Sequence, residues 1–345
     1  MPLPRAAVLP ALLLLAACAE TTPPLPPPRE LLVVLDQGAG ALTVVPVDAP
    51  AEASTLPLGI AGGVGLATRG AVAVVPAASP EALAVADLAT GDTHVIPLPE
   101  GHVPSAATLV NDTLAYVAAP TAGSVVRVNL RTGATATLPL GDAPQGVVFT
   151  RGRVFVLNGE LDDAGAPLGP SWMVVIDPIA NARAGGADSI PLPGPGNAAF
   201  AALGGDGLIY VVNRGDPGAG EGRISIVDPV GRAEVANFGG FGTMPGPAAH
   251  DGRERLFVSS TTEGLMEFNT RTREVERGAG EAIPIPRNRA VAVDGEGRVY
   301  AVDSGPCDGS APGTVRVLRP DLTELRTITV GACAVAAAVT EIPAE

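Results

Sequence analysis

Lysine is missing from all 345 residues, and the 22 basic side chains are therefore all arginine. That absence excludes a Schiff-base lysine, a pyridoxal-phosphate anchor and a P-loop lysine. Aromatic residues make up only 3% of the chain, with one tryptophan, Trp172. The formal net charge is −14, and no basic stripe is interleaved with aromatics. A nucleic acid is not an expected partner, because the net field repels phosphates and no stacking platform is available. No Gly-x-Ser-x-Gly follows a strand pattern, so a nucleophile elbow is absent as well. Histidine is scarce: His94, His102 and His250 fall in an outer strand, a loop and a strand end. They form no cluster, and His102, in Gly101-His102-Val103-Pro104, is the one candidate for general-base work, against the blander reading of a surface histidine.

Hydrophobic residues account for 46% of the chain and charged residues for 17%, with 43 glycines and 35 prolines. Such a balance suits many short buried strands joined by tight turns and fits long helices poorly. At the N-terminus, Arg5 and the apolar run Ala6–Ala17 match a secretory signal, too short to span a bilayer. The run ends in Leu15-Ala16-Ala17-Cys18, which resembles the bacterial lipobox. The resemblance implies a signal peptide over 1–17 and lipidation of Cys18; an ordinary Ala-x-Ala-like cleavage site is the competing reading. Residues 18–30, rich in proline from Pro23 to Pro28, are expected to form an extended tether. The resemblance places the chain, exported and lipid-anchored, on the cell envelope. In a Gram-negative host, alanine at position 19 rather than aspartate points to the outer membrane, on its periplasmic or surface side.

From Leu31 onward a β-branched or aromatic strand recurs at roughly 40 to 55 residue intervals. The copies are Leu32–Asp36, Val72–Val75, Ala115–Ala118, Val154–Asn158, Ile209–Asn213, Leu256–Ser260 and Val299–Asp303. Each of the earlier copies is followed by an alternating strand closing on Asp or Asn, as in Ala84–Asp87, Val126–Asn129 and Ser225–Asp228. Asp and Asn side chains accept bonds from backbone groups two residues on, and glycines such as Gly91 and Gly133 supply positive φ. A third stretch ends near Pro-Leu, where proline fits an outer edge, and a small-residue strand precedes each repeat. Four strands per repeat make a propeller blade. The expected fold is all-β: a β-propeller of about seven four-stranded blades over residues 31–345. Its first blade is completed by the C-terminal strand Ala332–Thr340, which closes the ring.

Motifs such as Ile209-Tyr210-Val211-Val212-Asn213 and Ile224-Ser225-Ile226-Val227-Asp228-Pro229 resemble the bacterial YVTN-type and NHL-type propellers, over Leu31–Thr340. A single tryptophan argues against WD40 and quinoprotein propellers. The resemblance specifies fold better than function, since such propellers include binding proteins, lactonases and lyases. Lactonase-type relatives hold a metal with Glu, Asn and Asp and lyase-type relatives use His with Glu; neither set maps onto this sequence residue by residue.

Propeller topology puts Cys307 and Cys333 on one face at the ring's closure, so a disulfide between them is expected in an oxidising compartment, against two unpaired cysteines or a metal pair whose further ligands this neighbourhood lacks. On the same rim fall the longest insertions, carrying Glu160, Asp162, Asp163, Asp216, Glu221 and Asp308. Asn158, Glu160, Asp162, Asp163 and Asp216 are a candidate calcium set, against solvated acidic loops, because no complete ligand loop is present. His102, Gln145, Asn197, Arg287, Asn288 and Arg289 are candidate ligand-binding residues at the tunnel mouth. The favoured function is a monomeric, non-enzymatic binding module for a protein, peptide or envelope ligand, with no cofactor other than calcium in view. A metal-dependent lactonase or lyase and a structural component of an envelope assembly are the alternatives.

Overall fold

A computed structural model describes residues 28–141, 143–162, 165–186 and 188–343. The signal peptide, Cys18, the tether as far as residue 27 and Asp163 lie outside the described residues. The chain forms seven antiparallel sheets arranged as the blades of a propeller. Blade 1 comprises Arg29–Asp36, Ala41–Pro46 and Ser54–Pro57, and its inner strand is the C-terminal Ala334–Ile342. Blades 2 to 7 run in chain order, each entered through its inner strand: blade 3, for example, is Ala106–Asn111, Leu114–Ala119, Ser124–Asn129 and Thr135–Pro139. Among the described residues no helix is long and apolar enough to cross a membrane.

The second and third strands read as unbroken apolar runs because both faces of each blade are covered by a neighbour. Seven buried clusters result, one between each pair of adjacent blades. The cluster that completes the ring joins Leu32, Val34 and Val45 of blade 1 to Tyr300, Val302 and Val315 of blade 7. Five aromatics occupy equivalent positions in second strands: Tyr116, Phe155, Tyr210, Phe257 and Tyr300, all fully buried. A buried phenol needs a partner. The Tyr210 hydroxyl donates to Asp206 Oδ2 at 2.6 Å and that of Tyr300 to Asp294 Oδ2 at 2.8 Å. Burial, then these carboxylates, push both phenols above the usual tyrosine range.

The Asx turns expected from sequence are formed. Asp87 Oδ1 accepts from the backbone of Ala89 and Thr90, and Asn129, Asp177 and Asn269 act likewise. The closing strand pairs with Arg29–Asp36 from Arg29↔Ile342 to Asp36↔Ala334, slightly beyond the expected Ala332–Thr340. Strand pairing therefore starts at Arg29, two residues before the expected boundary. Cys307 and Cys333 form a disulfide with Cα atoms 4.5 Å apart, joining the blade 7 loop to the turn that leads into the closing strand.

Candidate functional site

Because successive strands of a blade are antiparallel, its connections alternate between two faces of the ring. The loops leaving each second strand share a face with the connections that enter each inner strand. Backbone hydrogen bonds show this directly: Gly159 N–H donates to Ala143 O, Arg214 N–H to Asn197 O and Ser304 N–H to Arg287 O. On that face the inner strands of all seven blades surround the mouth of a central channel of about 680 Å³. The walls are mostly small and apolar, with Val64, Leu66, Val147, Phe200 and Met244 among the larger apolar side chains. Glycine and alanine dominate here because seven inner strands converge on one axis, where bulky side chains would collide.

Among the described residues, every charged side chain lining the channel is an arginine: Arg214, Arg287 and Arg289. Arg287 is neutralised locally, its Nε donating to Asp303 Oδ1 at 3.1 Å and its Nη2 to Oδ2 at 3.3 Å. Arg214 and Arg289 have no such partner: among the described residues no carboxylate pairs with either. The Arg214 guanidinium carbon sits 5.8 Å from the centre of the Phe200 ring, and its Nε is buried without a hydrogen-bond partner. Burial, and secondarily the charge of Arg289, lower the pKa of Arg214 from the ordinary arginine value.

The remaining predicted residues divide differently from the sequence reading. Asn288 is fully buried and its amide donates to Gly264 O at 2.9 Å, bracing blade 7 against blade 6. Asn197, in a left-handed conformation with φ of 66°, donates to Gly215 O at 3.2 Å and fixes the blade 5 loop. Gln145 lies beside the channel, its carbonyl accepting from Ser105 Oγ at 2.8 Å. His102 is turned outward, Nδ1 against Glu100 O and Nε2 against Thr137 Oγ1 on an outer strand. His250 is packed on Tyr210, with Nδ1 accepting from the Gly252 and Gly205 N–H groups and Nε2 donating to Thr270. Burial lowers its pKa, in keeping with a neutral ring.

The candidate calcium set is not assembled as one site. Asn158 is fully buried within its strand, its amide donating to Val156 O, which removes it from the loop that was to hold the ion. Asp162 Oδ1 accepts from Ala166 N–H, Asp216 Oδ1 from Gly218 N–H and Asp308 Oδ1 from Ser310 N–H, each closing its own loop. Among the described residues no three His, Cys, Asp or Glu side chains gather as a metal site.

Arg214 was missed from the sequence, although a signal existed. It directly follows the last residue of the blade 5 second strand, and the same repeat position supplies Gln37 from blade 1 and Thr261 from blade 6 to the channel lining. The signal was partial, since the residue after the second strand lines the channel in three of the seven blades.

These features define the chain as a seven-bladed β-propeller with a C-terminal strand closing blade 1 and a cationic channel mouth. Neither a family model nor a curated protein sequence matches it. Among solved structures, a chain of Kuenenia stuttgartiensis hydrazine synthase is similar with a TM-score of 0.61 and 14% identity, over 80% of this chain and 89% of its own. A chain of the nidogen/laminin complex is similar with a TM-score of 0.54 and 13% identity, over 72% of this chain and 92% of its own. At such identities the likeness shows the fold alone.

Proposed function

We propose that this protein is an exported, lipid-anchored propeller of the YVTN or NHL kind that binds a protein, peptide or envelope ligand on its channel-mouth face. The observation that carries this reading is the direction of the closing pair. Arg29 and Ile342 are paired at one end of the ring, while Asp36 and Ala334 are paired at the other, beside the channel-lining Gln37. A chain anchored through Cys18 therefore enters the propeller on the face opposite the channel. The long loops and the channel mouth are turned away from the bilayer. Eleven residues, 18–28, lead from Cys18 to the first strand, so their reach is at most about 40 Å.

Binding through such a face agrees with the general use of loops on a rigid scaffold. The nidogen/laminin complex, a protein assembly, contains a chain of similar fold. Two measurements test the reading. Cys18→Ser should move the protein from the membrane to the soluble fraction; retention in the membrane sinks the anchor. Photo-crosslinkers at Asp216 and Leu168, on the channel-mouth face, should capture a discrete envelope species that a crosslinker at Val230, on the opposite face, does not. Equal capture from both faces rejects the assignment.

A further inference from the structure

We infer that Arg214 and Arg289 form a site for the oxyanion group, carboxylate or phosphate, of a small ligand that enters the channel mouth. This deepens the binding reading above and rests on it for the choice of face. Arg214 comes from the blade 5 loop and Arg289 from the inner strand of blade 7. Between them, blade 6 and the connection that enters it present Met244, Gly246, Pro247, Ala248 and Thr261, none of them charged.

Three observations converge on an anion. The chain carries a net charge of −14, yet the described residues that line this cavity include three arginines and no aspartate or glutamate. Positive charge here is a local arrangement set against the overall field. Two of the three arginines have no counter-ion among the described residues, whereas Arg287 beside them is held by Asp303. Arg214 is partly desolvated, with a buried, unpartnered Nε–H and its guanidinium carbon over Phe200. Burying a guanidinium near a like charge is unfavourable unless an acceptor completes it. An oxyanion between the two supplies that acceptor, offsets the repulsion and takes charge-assisted bonds, which are stronger than neutral ones.

The rest of the cavity describes the ligand's body. At about 680 Å³ the channel falls within the range that holds an organic molecule rather than an inorganic ion alone. Apart from the arginines, Gln37 and Asn288, its larger side chains, such as Val64, Leu66, Val147, Phe200 and Met244, are apolar. The ligand class is thus an organic carboxylate or phosphate monoester with its anionic head at the arginine pair and a compact apolar body deeper in the channel.

The test is calorimetric titration of the purified full chain at low ionic strength with four probes: inorganic phosphate, phenyl phosphate, benzoate and, as an uncharged control, benzyl alcohol. Saturable one-to-one binding of phenyl phosphate, benzoate or both is expected, and a preference between them identifies the head group. Arg289→Gln and Arg214→Gln should each weaken binding by about tenfold or more, the loss expected for one charge-assisted contact. Arg131→Gln, the same charge change on an exposed turn of the opposite face, should leave it within about twofold. Since Arg289 is exposed, its variant keeps the test valid if Arg214→Gln unfolds. No saturable binding of either organic anion overturns the inference, as does binding that Arg289→Gln leaves unchanged or that benzyl alcohol reproduces. The titration needs no partner, so its failure leaves the crosslinking test standing and the converse also holds.

Discussion

Asp36 is 1% exposed at the point where the ring closes, with Thr43 Oγ1 donating to its Oδ2 and its Oδ1 without a partner. Burial dominates and raises its carboxyl pKa to about 6 despite the bonds from Thr43 and the Gly331 backbone. Between the unfolded value near 3.8 and the folded value, the native state holds more protons than the unfolded chain. The contribution to stability is therefore complete below about pH 4 and is lost as pH rises through about 6. Two pKa units correspond to about 3 kcal/mol. Asp36→Asn should accordingly stabilise the protein by about 2–3 kcal/mol at pH 7.5 and change little at pH 4, read from urea unfolding at both. An equal difference at the two pH values contradicts the account. Tyr300→Phe tests a pairing of opposite effect: Asp294 Oδ2 loses the phenol and keeps only Arg298, at an expected cost of about 1–2 kcal/mol. Neither role was visible in sequence. In the sequence Asp36 is simply the last residue of the first recurring strand, because the groups that bury it, around Gly331, lie almost a full chain length away.

Strands were legible according to how their two faces are covered. Second and third strands, buried on both sides, carry apolar runs that no loop would keep, and all seven second-strand copies fall within observed strands. Inner strands carry a weaker signal because one end faces the channel and selects glycine and alanine. In blade 2 that strand is two pieces, Ala61–Gly63 and Ala67–Arg69, with channel-lining Val64, Gly65 and Leu66 between them. The outer strand of blade 4 is likewise split into Ala182–Arg183 and Ser189–Leu192. The disulfide was legible because both cysteines sit at connections whose face follows from strand count alone. It closes a loop of sequence separation 26, for which chain entropy gives about 3 kcal/mol. Cys307→Ser with Cys333→Ser should lower unfolding stability by about 2–4 kcal/mol, and reductant should lower that of the parent alike while leaving the variant unmoved. A parent insensitive to reductant would refute the assignment of the clasp as stapled.

At the scale of the molecule, seven blades are held by seven equivalent hydrophobic interfaces and by one non-local strand. Ala334–Ile342 pairs along all eight residues Arg29–Asp36 and adds Ala334, with Ala337 and Val339 beside it, to the cluster between blades 7 and 1. Six of the interfaces form between blades adjacent in sequence; the seventh joins the two ends of the chain. Without the last strand, blade 1 exposes the edge of its Arg29–Asp36 strand, with its carbonyls and N–H groups unpaired, a template for association with another copy. At about 0.5–1.5 kcal/mol for each ladder bond, the strand contributes on the order of 4–10 kcal/mol, comparable to the whole stability of an ordinary domain. A chain ending at Cys333 should therefore retain the disulfide partners yet fail to give a folded monomer, forming strand-exchanged oligomers visible by light scattering after size exclusion. Supplying a peptide of residues 334–345 in trans should restore the monomer by strand addition. A truncated chain that remains monomeric, with its unfolding transition unshifted, would mean that the seven lateral interfaces close the ring without the clasp.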